Sequence, residues 1–322
     1  MRLRWSRGPR WPGASWSCRP RSRSTCAPQA RLDSEEHAEA VSAAARDLGL
    51  VANPAVLRQL SVVIESANPT EVSQFWQRVL DYAPADGGGL VDPLRRDPAI
   101  RIRQSTEPRS LRNRSHLDVV RPAAAVEQAG LGEARGPYGV CHTDPDGNEV
   151  DLLPGDALGE EIGTADWQAG VQRDGVLPHH LAANLQTAAR ELGATADAGL
   201  PRFVQLFLDA ADITAVRAFW VAALGYTADP RAGVTDIHDP RRLSPVLVFQ
   251  ELDASETERR RQRNRIHFEL AVPPDIAQTR LTTTIAAGGR LLDESEDRWR
   301  VADPEDNELV ITTTGPPTQR FS

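Results

Sequence analysis

Short runs of apolar residues predict strands at LSVVIES (residues 60–66) and FVQLFLD (203–209). Each leads through a polar turn into an amphipathic helix that carries Phe75-Trp76 or Phe219-Trp220. Aromatic residues early in such a helix pack on a sheet, so both pairs read as core anchors. Further strands follow at PAIRIRQ (98–104) and HLDVV (116–120), and again at SPVLVFQ (244–250) and HFELAV (267–272). Short helices are predicted over Ala123–Ala129 and Asp275–Ala287. Closing hairpins turn at DPDGN (Asp144–Asn148) and DPEDN (Asp303–Asn307). Alanine-rich helices precede both sets, over 34–48 with Asp33 or Ser34 as cap and over His180–Leu192.

These elements form an internal repeat. AARDLG at Ala44 returns as AARELG at Ala188, and Trp76 returns as Trp220, both offset by 144 positions. Strand, helix, then strands occurs twice in each copy, giving four units. Hairpin-length spacings favour an α+β fold with a mostly antiparallel sheet. The expected organisation is a basic tail (1–32), a helical lead-in (33–57), a first domain (58–155), a linker with a helix (156–199), a second domain (200–314) and a short tail (315–322). In residues 1–32 eight arginines alternate with Ser, Pro and Trp, and no acid precedes Asp33. A targeting segment, a basic interaction tail and a start that adds non-native sequence all fit that composition. The stretch reads as disordered and outside the fold.

Composition narrows the chemistry. A chain of 322 residues, 40% apolar and 25% charged, suits a soluble protein of two domains. Mean hydropathy is −0.42, and no apolar run approaches the roughly 20 residues of a membrane span. Cys18, Cys26 and Cys141 form neither an even framework nor a CxxC pair, which fits a reducing, cytoplasmic setting; Cys141 is given no role. All 37 basic residues are arginine, which excludes Schiff-base chemistry, a pyridoxal-phosphate lysine and a phosphate-loop lysine. A net charge of −8 argues against nucleic acid as a partner and favours a small molecule. The arginine clusters at 112–114 and 259–265 read as solvated loop faces.

The segments FWQRVLDY and FWVAALGY, RNRSHLDVV and RNRIHFELAV, and DPDGNEVDL and DPEDNELVI, twice in the same order, resemble the vicinal oxygen chelate superfamily. The likeness is to its glyoxalase-like branch, related to bleomycin-resistance proteins. The resemblance implies tandem domains, each of paired βαβββ modules curving around a cup that holds a ligand or a divalent metal. The positions matching the superfamily's ligand pattern are Ser61, Gln104, His116 and Asp151, then Gln205, Gln250, His267 and Val310. Gln104, His116 and Asp151 would form a nitrogen–oxygen metal site in the first domain, whereas Val310 removes the last carboxylate from the second.

Structural hydrogen bonding and ligand contact are the other readings of His116 and His267, and Ser61, Gln104, Gln205 and Gln250 are expected to line ligand cavities. Alternation puts Asp118 on the face of His116 and Glu149 on that of Asp151, where either carboxylate could move a proton. The implied functions are a diverged metal-dependent lyase or isomerase, or a metal-free binding protein of the bleomycin-resistance type, as monomer or homodimer. The AARDLGL segment also resembles a connector found beside pterin carbinolamine dehydratase domains. The dehydratase's His-His-Pro motif is absent from this sequence.

Overall fold

The computed structural model describes residues 39–51, 57–154 and 203–313, apart from 86–87, 94–96, 108, 137–138, 242 and 254. The predicted tails, the linker and its helix at His180–Leu192 lie outside the described residues. Residues 39–47 form a helix, α1, within a unit comprising 1–52 and 321–322; all that follows concerns the unit 53–320.

Four modules make up this unit. The first contains β1 (Gln59–Ser66), α2 (Pro69–Leu80), β2 (Ala83–Pro84), β3 (Leu90–Val91) and β4 (Ala99–Gln104). The second contains β5 (Ser115–Arg121), α3 (Ala123–Ala129), β6 (Cys141–Thr143) and β7 (Glu149–Pro154). The third contains β8 (Phe203–Ala210), α4 (Ile213–Leu224), β9 (Thr227–Ala228), β10 (Ile237–His238) and β11 (Val246–Glu251), followed by the single-turn α5 (Thr257–Arg261). The fourth contains β12 (Ile266–Ala271), α6 (Pro274–Ala286), β13 (Arg290–Ser295), β14 (Arg298–Ala302) and β15 (Glu308–Thr312). The second module departs from βαβββ: the counterpart of β13 is reduced to an isolated bridge between Arg135 and Cys141.

Each long helix is set by its sequence. Buried positions in α2 are Val72, Phe75, Trp76, Val79 and Leu80, and in α4 Val216, Phe219, Trp220, Ala223 and Leu224. Both sets follow the i, i+3, i+4, i+7, i+8 spacing of one helical stripe. Pro69 starts α2, and Asp212 caps α4 by accepting from the Ala215 amide at 3.0 Å.

The modules pair across the repeat. Sheet A has the order β13-β14-β15-β12-β1-β4-β3-β2 and sheet B the order β6-β7-β5-β8-β11-β10-β9. The joins are antiparallel, β1 with β12 and β5 with β8. Sheet A therefore unites modules one and four, and sheet B modules two and three. Each sheet thus takes one module from 58–155 and one from 200–314, and neither repeat completes a sheet alone. Pairing is otherwise mostly antiparallel as expected, with β1–β4, β12–β15, β5–β7 and β8–β11 parallel.

The repeat motifs hold this arrangement together. Trp76 Nε1 donates to Asp144 Oδ2 at 3.0 Å and Trp220 Nε1 to Asp303 Oδ2 at 2.9 Å, each bond joining a helix on one sheet to a turn of the other. Both indoles are fully buried. The other carboxylate oxygen orders the turn: Asp144 Oδ1 accepts from the amides of Asp146 and Asn148, Asp303 Oδ1 from those of Glu305 and Asn307. The left-handed turn position is Gly147 (φ 77°) in one and Asp306 (φ 64°) in the other.

The Arg-Asn-Arg segments lock reciprocally. Asn113 Oδ1 accepts from the Arg265 amide at 2.9 Å, and Asn264 Oδ1 from the Arg114 amide at 3.0 Å. Arg114 is fully buried and donates to the Glu305 carbonyl at 2.7 Å. Arg259 and Arg265 are also buried. A solvated loop face is thus wrong for these three, because their donors satisfy carbonyls and side chains of the opposite repeat.

One apolar cluster includes Val62, Ile64, Trp76, Leu117, Val119, Leu206, Trp220, Phe268 and Ile311. Val63, Phe207 and Val310, one residue out of phase with those strand positions, are outside it. The pleat therefore separates a helix-packed side of each sheet from a second face, on which most of the polar candidates lie.

Candidate functional site

Sheet B brings together residues from both repeats. Across its strands, Cys141 neighbours Asp151, Asp151 neighbours Asp118, Asp118 neighbours Gln205 and Gln205 neighbours Val246. Two residue pairs along, on the same face, His116 lies opposite Phe207, and their rings stack with centroids 4.8 Å apart and planes 17° apart. His116, Asp118 and Asp151 each present a ligand atom, all within 4.8 Å of one another. His116 Nε2 is 3.6 Å from Asp118 Oδ1.

Their environment favours a neutral imidazole among carboxylates. Burial lowers the pKa of His116, against the opposing pull of Asp209 and Asp151. Gln205 is 2% exposed, and its Oε1 accepts no hydrogen bond from the described residues. At the rim, Arg112 Nε lies 3.3 Å from Glu149 Oε2, and its Nη2 donates to Asp209 Oδ2 at 3.2 Å. Arg259 also pairs with Asp209. Burial raises the pKa of Glu149, with Asp151 and Asp209 adding to the rise and Arg112 opposing it. Cys141 is pushed up to about 12 by burial and by Asp151 and Glu149, so it remains a thiol.

The expected ligand set is thereby rearranged. Gln104 lies in sheet A, away from His116 and Asp151 in sheet B, so the set Gln104, His116 and Asp151 is not brought together. Its register partner is Ser66, which puts it in phase with Ile100 on the helix side, and it donates to the Ala67 carbonyl at 3.1 Å. The β4 residue equivalent to Gln250 is Arg103, because Ser61 pairs with Ala99 as Gln205 pairs with Val246. Gln250 is exposed opposite Asp209. Ser61 is buried in sheet A beside Glu269. Gln205, assigned to the other domain from sequence, joins Asp118 and Asp151 instead.

His267 sits at the corresponding place in sheet A under different conditions. Burial lowers its pKa to about 4, and its Nδ1 is 3.7 Å from Glu65 Oε1. Val310 neighbours Glu269 where Asp151 neighbours Asp118. The glutamates on this face are engaged by arginines: Glu269 by Arg101 and Arg103, Glu65 by Arg109 and Arg263, and Glu308 by Arg263. A cleft of about 310 Å³ lined by Arg58, Asp92, Pro98 and Leu243 includes none of these side chains.

No helix among the described residues is long and apolar enough to cross a membrane. The family model described as a glyoxalase-like domain matches residues 61–153 and 205–312. No curated protein sequence matches the chain. Among solved structures, glyoxalase I from Zea mays is similar at 11% identity, with 80% of this chain and 92% of that one covered and a TM-score of 0.47. A genomically encoded fosfomycin resistance protein from Listeria monocytogenes, in a complex with Mn(II) and 1S,2S-dihydroxypropylphosphonic acid, is similar at 13% identity over 36% of this chain and 91% of that one (TM-score 0.29). A glyoxalase/bleomycin resistance protein/dioxygenase family enzyme from Burkholderia phytofirmans shares 19% identity over 33% of this chain and 92% of that one (TM-score 0.26).

Proposed function

The chain belongs to the glyoxalase-like domain family, and from that premise we propose that the polar face of sheet B is a divalent-metal site serving lyase- or isomerase-type proton transfer on a small oxygen-bearing molecule. The proposal rests on the three ligand atoms of His116, Asp118 and Asp151 gathered within 4.8 Å. The donor set fits a dication: one neutral imidazole nitrogen, two carboxylates that balance its charge, and a buried amide oxygen of Gln205 to which no described residue donates a hydrogen bond. Such an ion, when bound, supplies Lewis acidity toward a carbonyl or enediolate oxygen.

The chain's own residues supply the rest. Stacking on Phe207 fixes the imidazole plane of His116. Glu149 is the proton carrier, because its raised affinity for protons brings it closer to the operating pH of a general base. Arg112 lies against Glu149 at the rim, its Nε 3.3 Å from Oε2. Phe207 and the partly buried Val246 and Val248 provide an apolar wall for a small organic molecule.

Metal analysis by plasma mass spectrometry tests the assignment on full-length protein purified without chelator, beside His116→Ala and Asp151→Asn. Near-stoichiometric divalent metal in the wild type, lost in both variants, is the expected result. Absence of metal, or metal indifferent to His116, overturns the proposal and leaves metal-free ligand binding as the function to pursue.

A further inference from the structure

The two polar faces have opposite charge. In sheet B, Asp118, Glu149, Asp151 and Asp209 outnumber Arg112 and Arg259. In sheet A the register exchanges these types: Val310 replaces Asp151, and Arg101 and Arg103 stand where β11 has Val248 and Gln250. Arg298 and Arg300 join them from β14, facing Glu269 and Glu308 at 3.7 Å each.

The layering of these charges determines what the face presents. Side chains of Glu269 and Glu308 are each 7% exposed, whereas those of Arg103, Arg298 and Arg300 are 38%, 45% and 37% exposed. The carboxylates form the floor and the guanidiniums the surface. Including Arg109 and Arg263, six guanidiniums face Glu65, Glu269, Glu308, the half-exposed Glu107 and Asp293 opposite Arg300, leaving positive charge in excess. At 3.7 Å, the contacts of Arg298 and Arg300 exceed hydrogen-bond length, so their donor forks remain open. His267, in phase with Glu269 on β12, is neutral, since burial lowers its pKa to about 4.

We propose that this face of sheet A is a second binding site, for a small oxyanion bearing phosphate or carboxylate groups, received by Arg103, Arg298 and Arg300. Guanidinium forks match both groups in a bidentate manner, and an anionic ligand would offset the positive excess. The site is independent of metal in sheet B.

Titration calorimetry at fixed ionic strength on protein stripped of metal with EDTA and then exchanged into chelator-free buffer, with pyrophosphate and citrate as probes and sodium chloride as control, tests this on the full chain. Saturable binding of either probe is expected, and comparison of the two separates phosphate from carboxylate preference. Arg103→Gln with Arg300→Gln should weaken binding at least about tenfold, as loss of a charge-assisted pair implies, while His116→Ala leaves it unchanged. Circular dichroism checks folding; if the double variant is unfolded, Arg300→Lys, which retains charge but loses the fork, should weaken binding severalfold. The proposal fails if neither probe binds beyond the chloride control, or if binding ignores Arg103 and Arg300.

Discussion

Replacing Asp151 by valine gives sheet B the residue that sheet A already has at Val310, and the proposed metal site makes opposite predictions with and without metal. Without metal, Asp118 and Asp151 bring carboxylate oxygens within 4.8 Å. At that separation two unit charges repel by about 1–3 kcal/mol for an effective dielectric between water and a protein surface. Asp151→Val removes the repulsion, offset by loss of the hydrogen bond between Asp151 and the Cys141 thiol. In EDTA the variant should therefore be as stable as the wild type or up to ~2 kcal/mol more stable.

With metal the order reverses. A dication at about 100 times its Kd stabilises the wild type by about 2.7 kcal/mol. For a body of this size, that raises Tm by roughly 5–10 °C, whereas the variant should shift little. Thermal melts of both proteins in EDTA, Mn(II), Ni(II) and Zn(II) provide the comparison. Equal metal shifts in the two proteins, or a variant more than about 1 kcal/mol less stable in EDTA, would refute the site as drawn.

The buried histidine of sheet A makes stability depend on pH. His267 titrates near 6.5 when unfolded but near 4 when folded, so the unfolded chain binds more protons between these values and stability falls as pH drops from 6.5 to 4, by ~3 kcal/mol in all; urea melts should show His267→Gln with a flatter dependence in this window. Glu65, held down to about 2 by Arg263 and Arg109 despite burial, should add acid sensitivity below pH 4.5, and Glu65→Gln should lessen it in the same melts. Asp303→Ala strands the buried Trp220 indole and turn amides and should cost about 2–4 kcal/mol by chemical denaturation, with Trp220→Phe recovering part of that loss in the double-mutant cycle. Asn264→Ala removes the acceptor of the Arg114 amide in the lock between repeats and the donor to Asn307, and should cost about 1–3 kcal/mol, measured the same way.

Sequence alone determined the modules and their class. Periodicity located the strands and helices because burying one face imposes period 2 or 3.6 on the residues themselves. The aromatic pairs and DPxxN turns were legible as repeats, although their direct bonding, Trp76 to Asp144 and Trp220 to Asp303, was not. His116, Asp118, Glu149 and Asp151 lie within one stretch of sequence, on β5 and β7 of sheet B.

Only the tertiary structure decided which modules meet. The first strands of all four modules are apolar and similar in length, so propensity does not distinguish pairing β1 with β5 from pairing it with β12. Contacts between distant residues, such as Asn113 with Arg265 and Asn264 with Arg114, accompany the cross-repeat choice. From that choice follow the entry of Gln205 beside Asp118 and Asp151, the separation of Gln104 from them, and the gathering of arginines over Glu269 and Glu308. Gln104 also shows how little separates the two faces: in a strand, a single-residue difference in register turns a side chain to the opposite side of the sheet.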